Sequence, residues 1–100
     1  MKVNVHAVNF NIDRKLVDFI DERMTKLEKY YDKVISSDAF LKVENISEKE
    51  NKTVELKVLV PGDDFIVTKH SKSFEEAADL AIDSLERLLV KRKEKLRAHS

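Results

Sequence analysis

The sequence predicts an α+β fold of element order β-α-β-β-β-α, with two helices packed on one face of a four-stranded, mostly antiparallel sheet. Three observations lead there. Val54, Leu56, Val58 and Val60 alternate with Thr53, Glu55, Lys57 and Leu59, the period of a half-buried strand. Two long stretches place apolar residues at helical spacing, one before this strand and one after it. The chain has 1 Gly and 1 Pro, and they stand side by side as Pro61-Gly62, so turn chemistry is concentrated at one hairpin.

The elements follow in order. Lys2 to Phe10 reads as a strand, with Val3, Val5 and Ala7 on one face and Asn4 and His6 on the other. Asp13 is placed to cap a helix, because its carboxylate can accept from the free amides of a first turn. An amphipathic helix from about Arg14 to Lys33 carries Leu16, Phe19, Ile20, Leu27, Tyr30, Tyr31 and Val34. "AFLKVENI", Ala39 to Ile46, gives a second strand, and "SEKENK" gives a polar turn before the third. Pro61 to Asp64 turns the chain, with Gly62 free to take positive φ, and Phe65 to Lys69 return as the fourth strand. Ser73 and Glu76 have capping-box spacing and open the last helix. Its stripe is Phe74, Ala77, Ala78, Ala81, Ile82, Leu85, Leu88, Leu89 and Leu96.

Composition bounds the function. One hundred residues suit a single compact domain spanning 1–100, and with 38% charged residues its exterior is that of a soluble globular protein. No apolar run approaches the roughly 20 residues of a membrane span. "MKVNVHAVNF" lacks the charged-then-apolar order of a secretory signal. With 0 Cys there is no disulfide framework, thiolate nucleophile or cysteine-held metal, in keeping with a cytoplasmic protein that does not engage membranes.

Catalysis has little to work with. His6, His70 and His99 lie on separate elements, and none has a ligand partner at i+3 or i+4. His6 and His70 can approach only across the sheet, and solvated strand histidines are the better reading. The one glycine sits in a hairpin, which rules out a glycine-rich phosphate loop or a nucleophile elbow. Asp63 and Asp64 read as turn acids rather than metal ligands. Tyr30 and Tyr31 straddle the apolar stripe of the first helix and read as packing residues rather than base-stacking ones. The expectation is a non-enzyme with no metal and no cofactor.

The basic residues say more. The chain balances 19 Lys+Arg against 19 Asp+Glu, yet "LLVKRKEKLRAHS" closes it with a basic helix end at about 87–97. Arg87, Lys91 and Lys95 recur every four residues beside the apolar stripe, with Ser84 in line one turn earlier. Arg23, Lys26, Lys29 and Lys33 run along one flank of the first helix. The last helix begins instead with Glu75, Glu76, Asp79, Asp83 and Glu86. Acids first and bases last complement a helix dipole, at about 0.3–1 kcal/mol per charge. That explains the polarity, but the dipole fades beyond the last turn, whereas Arg87 to Arg97 covers about three turns. Arg92 falls near the middle of the apolar stripe, as expected of a helix that overshoots its sheet. A projecting cationic end suits a polyanion.

The element order is similar to that of a double-stranded-RNA-binding domain with one strand added in front. Such domains read shape, backbone and 2′-hydroxyls rather than bases. They place lysines at the start of the final helix, where this chain has "SFEEAAD", so a free duplex is the weaker candidate. "NIDRKLVDFIDERMTKLEKYYDKV", above all "KLEKYYD", resembles the first-helix region of the ribosome hibernation promoting factors, also called ribosome-associated translation inhibitors. "FEEAADLAIDSLERLLVKRKEKLRAH" is similar to their second helix and "LKVEN" to their second strand. The similarity covers nearly the whole chain, at the length of the family's short form.

The resemblance implies a domain in the decoding region of the small ribosomal subunit, overlapping the path of messenger RNA and the A- and P-site transfer RNAs. It implies ribosomal RNA contacts by Arg23, Lys26 and Lys29 in the first helix and by Arg87, Lys91, Lys93 and Lys95 in the second, with Arg92 beside them. The partners implied are the small subunit with its 16S-type rRNA, the whole ribosome, and a small ribosome-dimerising protein. Relatives often carry a base where this chain has Ser84, which removes one phosphate contact, and Leu88 replaces a residue often polar. Long relatives add a C-terminal domain that joins two ribosomes, and the chain stops at Ser100 without one. The rival expectation is a protein-interaction module that modulates an alternative sigma factor or another acidic partner.

Overall fold

The computed structural model describes residues 2–44 and 51–98, and its elements run β1 (Val3–Val8), α1 (Arg14–Thr25), a 3₁₀ segment (Lys26–Lys29), β2 (Ser36–Val43), β3 (Lys52–Val60), β4 (Asp63–Ser71) and α2 (Phe74–Ala98). The order β-α-β-β-β-α is the one expected. The sheet order is β1-β2-β3-β4, with β1 parallel to β2 and the other two pairings antiparallel. A parallel neighbour needs a crossover, and α1 supplies it. The hairpin from β3 to β4 needs only Pro61 and Gly62, with Gly62 at φ 81. Asn9, at φ 65, turns the chain out of β1, in a conformation asparagine tolerates better than most residues.

Both caps form as the sequence implies. Asp13 Oδ1 accepts from Lys15 N at 2.9 Å, and Ser73 Oγ accepts from Glu76 N at 3.2 Å. One sheet face presents Val54, Leu56, Val58, Val60, Ala39, Leu41 and Val67 to Ile20, Met24 and Leu27 below α1 and to the small-residue stripe of α2. Ala77, Ala78 and Ala81 are fully buried, which lets α2 approach the strands closely. Phe10 stacks on Phe74, ring centroids 4.9 Å apart, and ties the loop before α1 to the start of α2.

Three expectations need correction. The first α-helix ends at Thr25 rather than near Lys33; the chain tightens into the 3₁₀ segment and runs without helix from 30 to 35. Tyr31 is still buried, at 6% exposure, although it lies outside the helix. β2 begins at Ser36, not Ala39, because Ser36 pairs with Leu59 and Ser37 with Val3; the predicted end at Ile46 lies outside the described residues. β4 runs from Asp63 to Ser71 rather than from Phe65 to Lys69, because Asp63 pairs with Val60 and Asp64 with Leu59. His6 and His70 are exposed strand residues, as expected, on opposite edge strands. His6 stacks on Phe40 and sits 3.1 Å from Asp38 Oδ1, while His70 Nδ1 lies 2.8 Å from Thr53 Oγ1. His99 also lies outside the described residues.

Candidate nucleic-acid interface

The last fully buried side chain of α2 among the described residues is Leu89, yet the helix continues to Ala98. Nine residues of helix extend about 13 Å at 1.5 Å each. The molecule is correspondingly long, 49 × 25 × 18 Å. The bases expected to bind are distributed unequally over this shape.

On the first-helix side they are engaged. Arg23 pairs with Asp79 of α2 and lies over the Phe19 ring, 5.5 Å from its centroid. Lys26 Nζ is 3.6 Å from Glu22 Oε1, and Lys29 Nζ is 5.4 Å from the centroid of Tyr30. The Tyr30 hydroxyl is held by Glu86; that hydrogen bond, then the Glu86 charge, then burial raise its pKa above 10.0. Of the acids in α2's first half, Asp79 thus meets a base of α1, and Glu86 meets the tyrosine that follows the 3₁₀ segment. Lys33 leaves this flank altogether, since its segment is not helical.

At the end of α2 the picture is different. Arg87 is exposed, and its one side-chain hydrogen bond among the described residues is to Ser84 Oγ at 3.4 Å. Lys91 and Lys95 are exposed and have no acidic partner among the described residues. The pairings also fix the orientation of α2. Asp79 and Glu86 mark the flank that faces α1, and at about 100° per residue Lys93 falls in line with them. Arg87, Lys91 and Lys95 lie about 100–180° around the helix from Glu86, on the flank turned away from α1. The structure thus brings Arg23, Lys26, Lys29 and Lys93 to one side and Arg87, Lys91 and Lys95 to another.

Arg92 belongs to neither side. Its guanidinium turns back onto the β3–β4 hairpin, with Nη1 donating to Asp63 Oδ2 at 3.1 Å and Nη2 to Pro61 O at 2.9 Å. At Arg92 the side chain of α2 therefore still reaches back to the sheet's end, although the last buried residue is Leu89. Asp63, the first residue of β4, serves as the ion-pair partner of Arg92. Among the described residues no cluster of His, Cys, Asp and Glu is placed to hold a metal ion, and no helix is long and apolar enough to cross a membrane.

Fold and surface together define a class: a small α+β protein whose last helix carries a cationic end past its core. The sequence pattern of the family described as Sigma 54 modulation protein / S30EA ribosomal protein matches residues 3–97, and the chain belongs to that family. It is 28% identical over 95 residues to a ribosome hibernation promoting factor of Azotobacter vinelandii, covering 95% of this chain and 85% of that one. To the ribosome hibernation promoting factor of Escherichia coli strain K12 it is 30% identical over 99 residues, 99% of this chain and 100% of that protein. The fold matches a ribosomal subunit interface protein from Coxiella burnetii at a TM-score of 0.82 and 19% identity, over 94% of this chain and 99% of that one. The family resemblance carried by "KLEKYYD" and "FEEAADLAIDSLERLLVKRKEKLRAH" is met.

Proposed function

We propose that this protein is a cytoplasmic, non-catalytic inhibitor of translation that binds the ribosome and holds it in a hibernating state. Its partner is the small subunit, where the end of α2 grips 16S-type rRNA phosphates in the decoding region and the body of the protein excludes messenger and transfer RNA. The observation that carries this reading is the line Arg87, Lys91 and Lys95, exposed, without acidic partners among the described residues, and mounted on one helix that continues past its last buried residue, Leu89. Phosphate contacts need long basic side chains in fixed register and carry no sequence code. The names borne by the relatives, ribosome hibernation promoting factor and ribosomal subunit interface protein, support the ribosome as the partner. Lys26, Lys29 and Lys93 supply a second, weaker contact, and a small ribosome-dimerising protein is a further partner.

Sedimentation through sucrose at two salt concentrations tests the reading, with purified ribosomes and a folded Arg87→Glu, Lys91→Glu, Lys95→Glu variant alongside. The wild type is expected to travel with the small subunit or whole ribosomes and to loosen with salt, while the variant stays at the top. Wild type that stays at the top in low salt sinks the proposal. The second reading, modulation of an alternative sigma factor or another acidic protein, draws on the family's own description. Ribonuclease separates the two: an rRNA-held complex dissolves on digestion, and a protein-held one persists.

A further inference from the structure

Arg92 stands three positions after the buried Leu89, where the stripe of α2 calls for its next inward residue. Only 20% of the side chain is exposed. The planar fork bridges the two-residue turn, one nitrogen on the carbonyl of Pro61 and the other on the carboxylate of Asp63. A Cβ built on Gly62 would lie 3.6 Å from Nη2, so the guanidinium rests over the turn itself. Asp63 is anchored in turn, since its Oδ1 accepts from Asp64 N at 2.8 Å. Among the described residues this fork is the one hydrogen-bonded tie between α2 beyond Leu89 and the sheet. Lys91 is its immediate neighbour, and Lys95 lies one turn further on.

We infer that Arg92 is a positioning residue, not a phosphate contact: its fork on the β3–β4 turn, with Asp63 as partner, sets the direction in which Lys91 and Lys95 meet phosphate. This rests on the rRNA reading above and extends it to the β3–β4 hairpin. The two roles for Arg92 predict opposite signs for one substitution. Asp63→Asn keeps an oxygen for Asp64 N but turns an amide donor toward Arg92, so the fork opens. Removal of a negative charge by itself would tighten binding to a polyanion. Loss of the fork weakens it.

The test titrates the labelled full chain with purified small ribosomal subunits over a series of KCl concentrations. Asp63→Asn is expected to bind about three- to tenfold more weakly at every salt concentration, with an unchanged slope of log K against log salt. Arg92→Gln is expected to do the same, and the double variant to be no weaker than either single one, because both changes break one contact. Tighter binding by Asp63→Asn overturns the inference. So does a slope that shrinks by about 0.7–0.9 in Arg92→Gln, the mark of a lost phosphate contact. Should Arg92→Gln fail to fold, Asp63→Asn decides alone.

A second readout needs no ribosome. Amide hydrogen exchange across residues 91–95 of the free chain is expected to quicken in Asp63→Asn, and unchanged exchange overturns the clamp. A wild type that does not bind subunits overturns the functional proposal instead, and the exchange result still judges the clamp.

Discussion

Two regions of this molecule carry similar bases in opposite states. On the α1 side, Arg23 pairs with Asp79, Lys26 lies beside Glu22, and Lys29 sits over a tyrosine already held by Glu86. At the end of α2, Arg87 finds only a serine hydroxyl, and Lys91 and Lys95 find no acid among the described residues. The difference comes from packing. α2 brings Asp79 to Arg23 and Glu86 to Tyr30, while Lys26 and Lys29 find partners nearby in the chain, and Arg87, Lys91 and Lys95 are left without acids among the described residues. The lesson is that a basic flank drawn on a helical wheel has a meaning only once the neighbouring helix is in place. A charge already satisfied gains little from a phosphate, whereas a solvated one exchanges counterions for it.

The largest effect should come from reversing the free line. Arg87→Glu, Lys91→Glu, Lys95→Glu is expected to lower ribosome affinity by about a hundredfold or more near physiological salt, with the circular-dichroism melt unchanged. A melt shifted by many degrees would show that the line serves the fold instead. The engaged side should answer in stability. Arg23→Ala removes an ion pair between two part-exposed side chains and a cation–π contact, together about 0.5–1 kcal/mol after solvent screening. The melting temperature should fall by about 2–8 °C. Arg23→Ala that melts like wild type and binds like the triple variant would erase the contrast between the regions.

The smallest effect is a titration. Glu86 raises the pKa of Tyr30 above 10.0 in the folded chain, so the folded state holds that proton more tightly than the unfolded one. The sign follows: this contribution to stability is complete below pH 10 and is lost as pH rises through the folded pKa. In a Tyr31→Phe background the tyrosinate absorbance should therefore rise late, and Glu86→Gln should return the rise toward the ordinary range. No difference between the two would remove Glu86 from the α1–α2 contact.

Much of this was legible in the residues, and the failures have physical reasons. The alternation from Thr53 to Val60 named β3 because one face must be buried and the other wet. The spacing from Phe74 to Leu89 named α2 for the matching reason. The end of α1 was not legible, since no Gly or Pro marks it and Tyr31 stays buried by leaving the helix, not by continuing it. Met24, fully buried one turn after Ile20, fits the same stripe and was open to the spacing argument that missed it. The start of β2 was hidden because Ser36, Ser37 and Asp38 are turn formers that strand pairing overrode. For the surface, the sequence showed which bases exist and their register. It did not show that Asp79 takes Arg23, or that the hairpin takes Arg92, because both contacts join elements far apart in the chain.

The most direct test sets the two regions side by side in one measurement: the salt dependence of binding to purified small subunits for wild type, Lys91→Ala with Lys95→Ala, and Lys26→Ala with Lys29→Ala. With about five to seven phosphates neutralised, the wild-type slope should be roughly −4 to −6. The α2 pair should reduce its magnitude by about 1.4–1.8, and the α1-side pair by less than about half as much. Equal reductions by the two pairs, or a wild-type slope near zero, would contradict the claim that the projecting end of α2 is the grip.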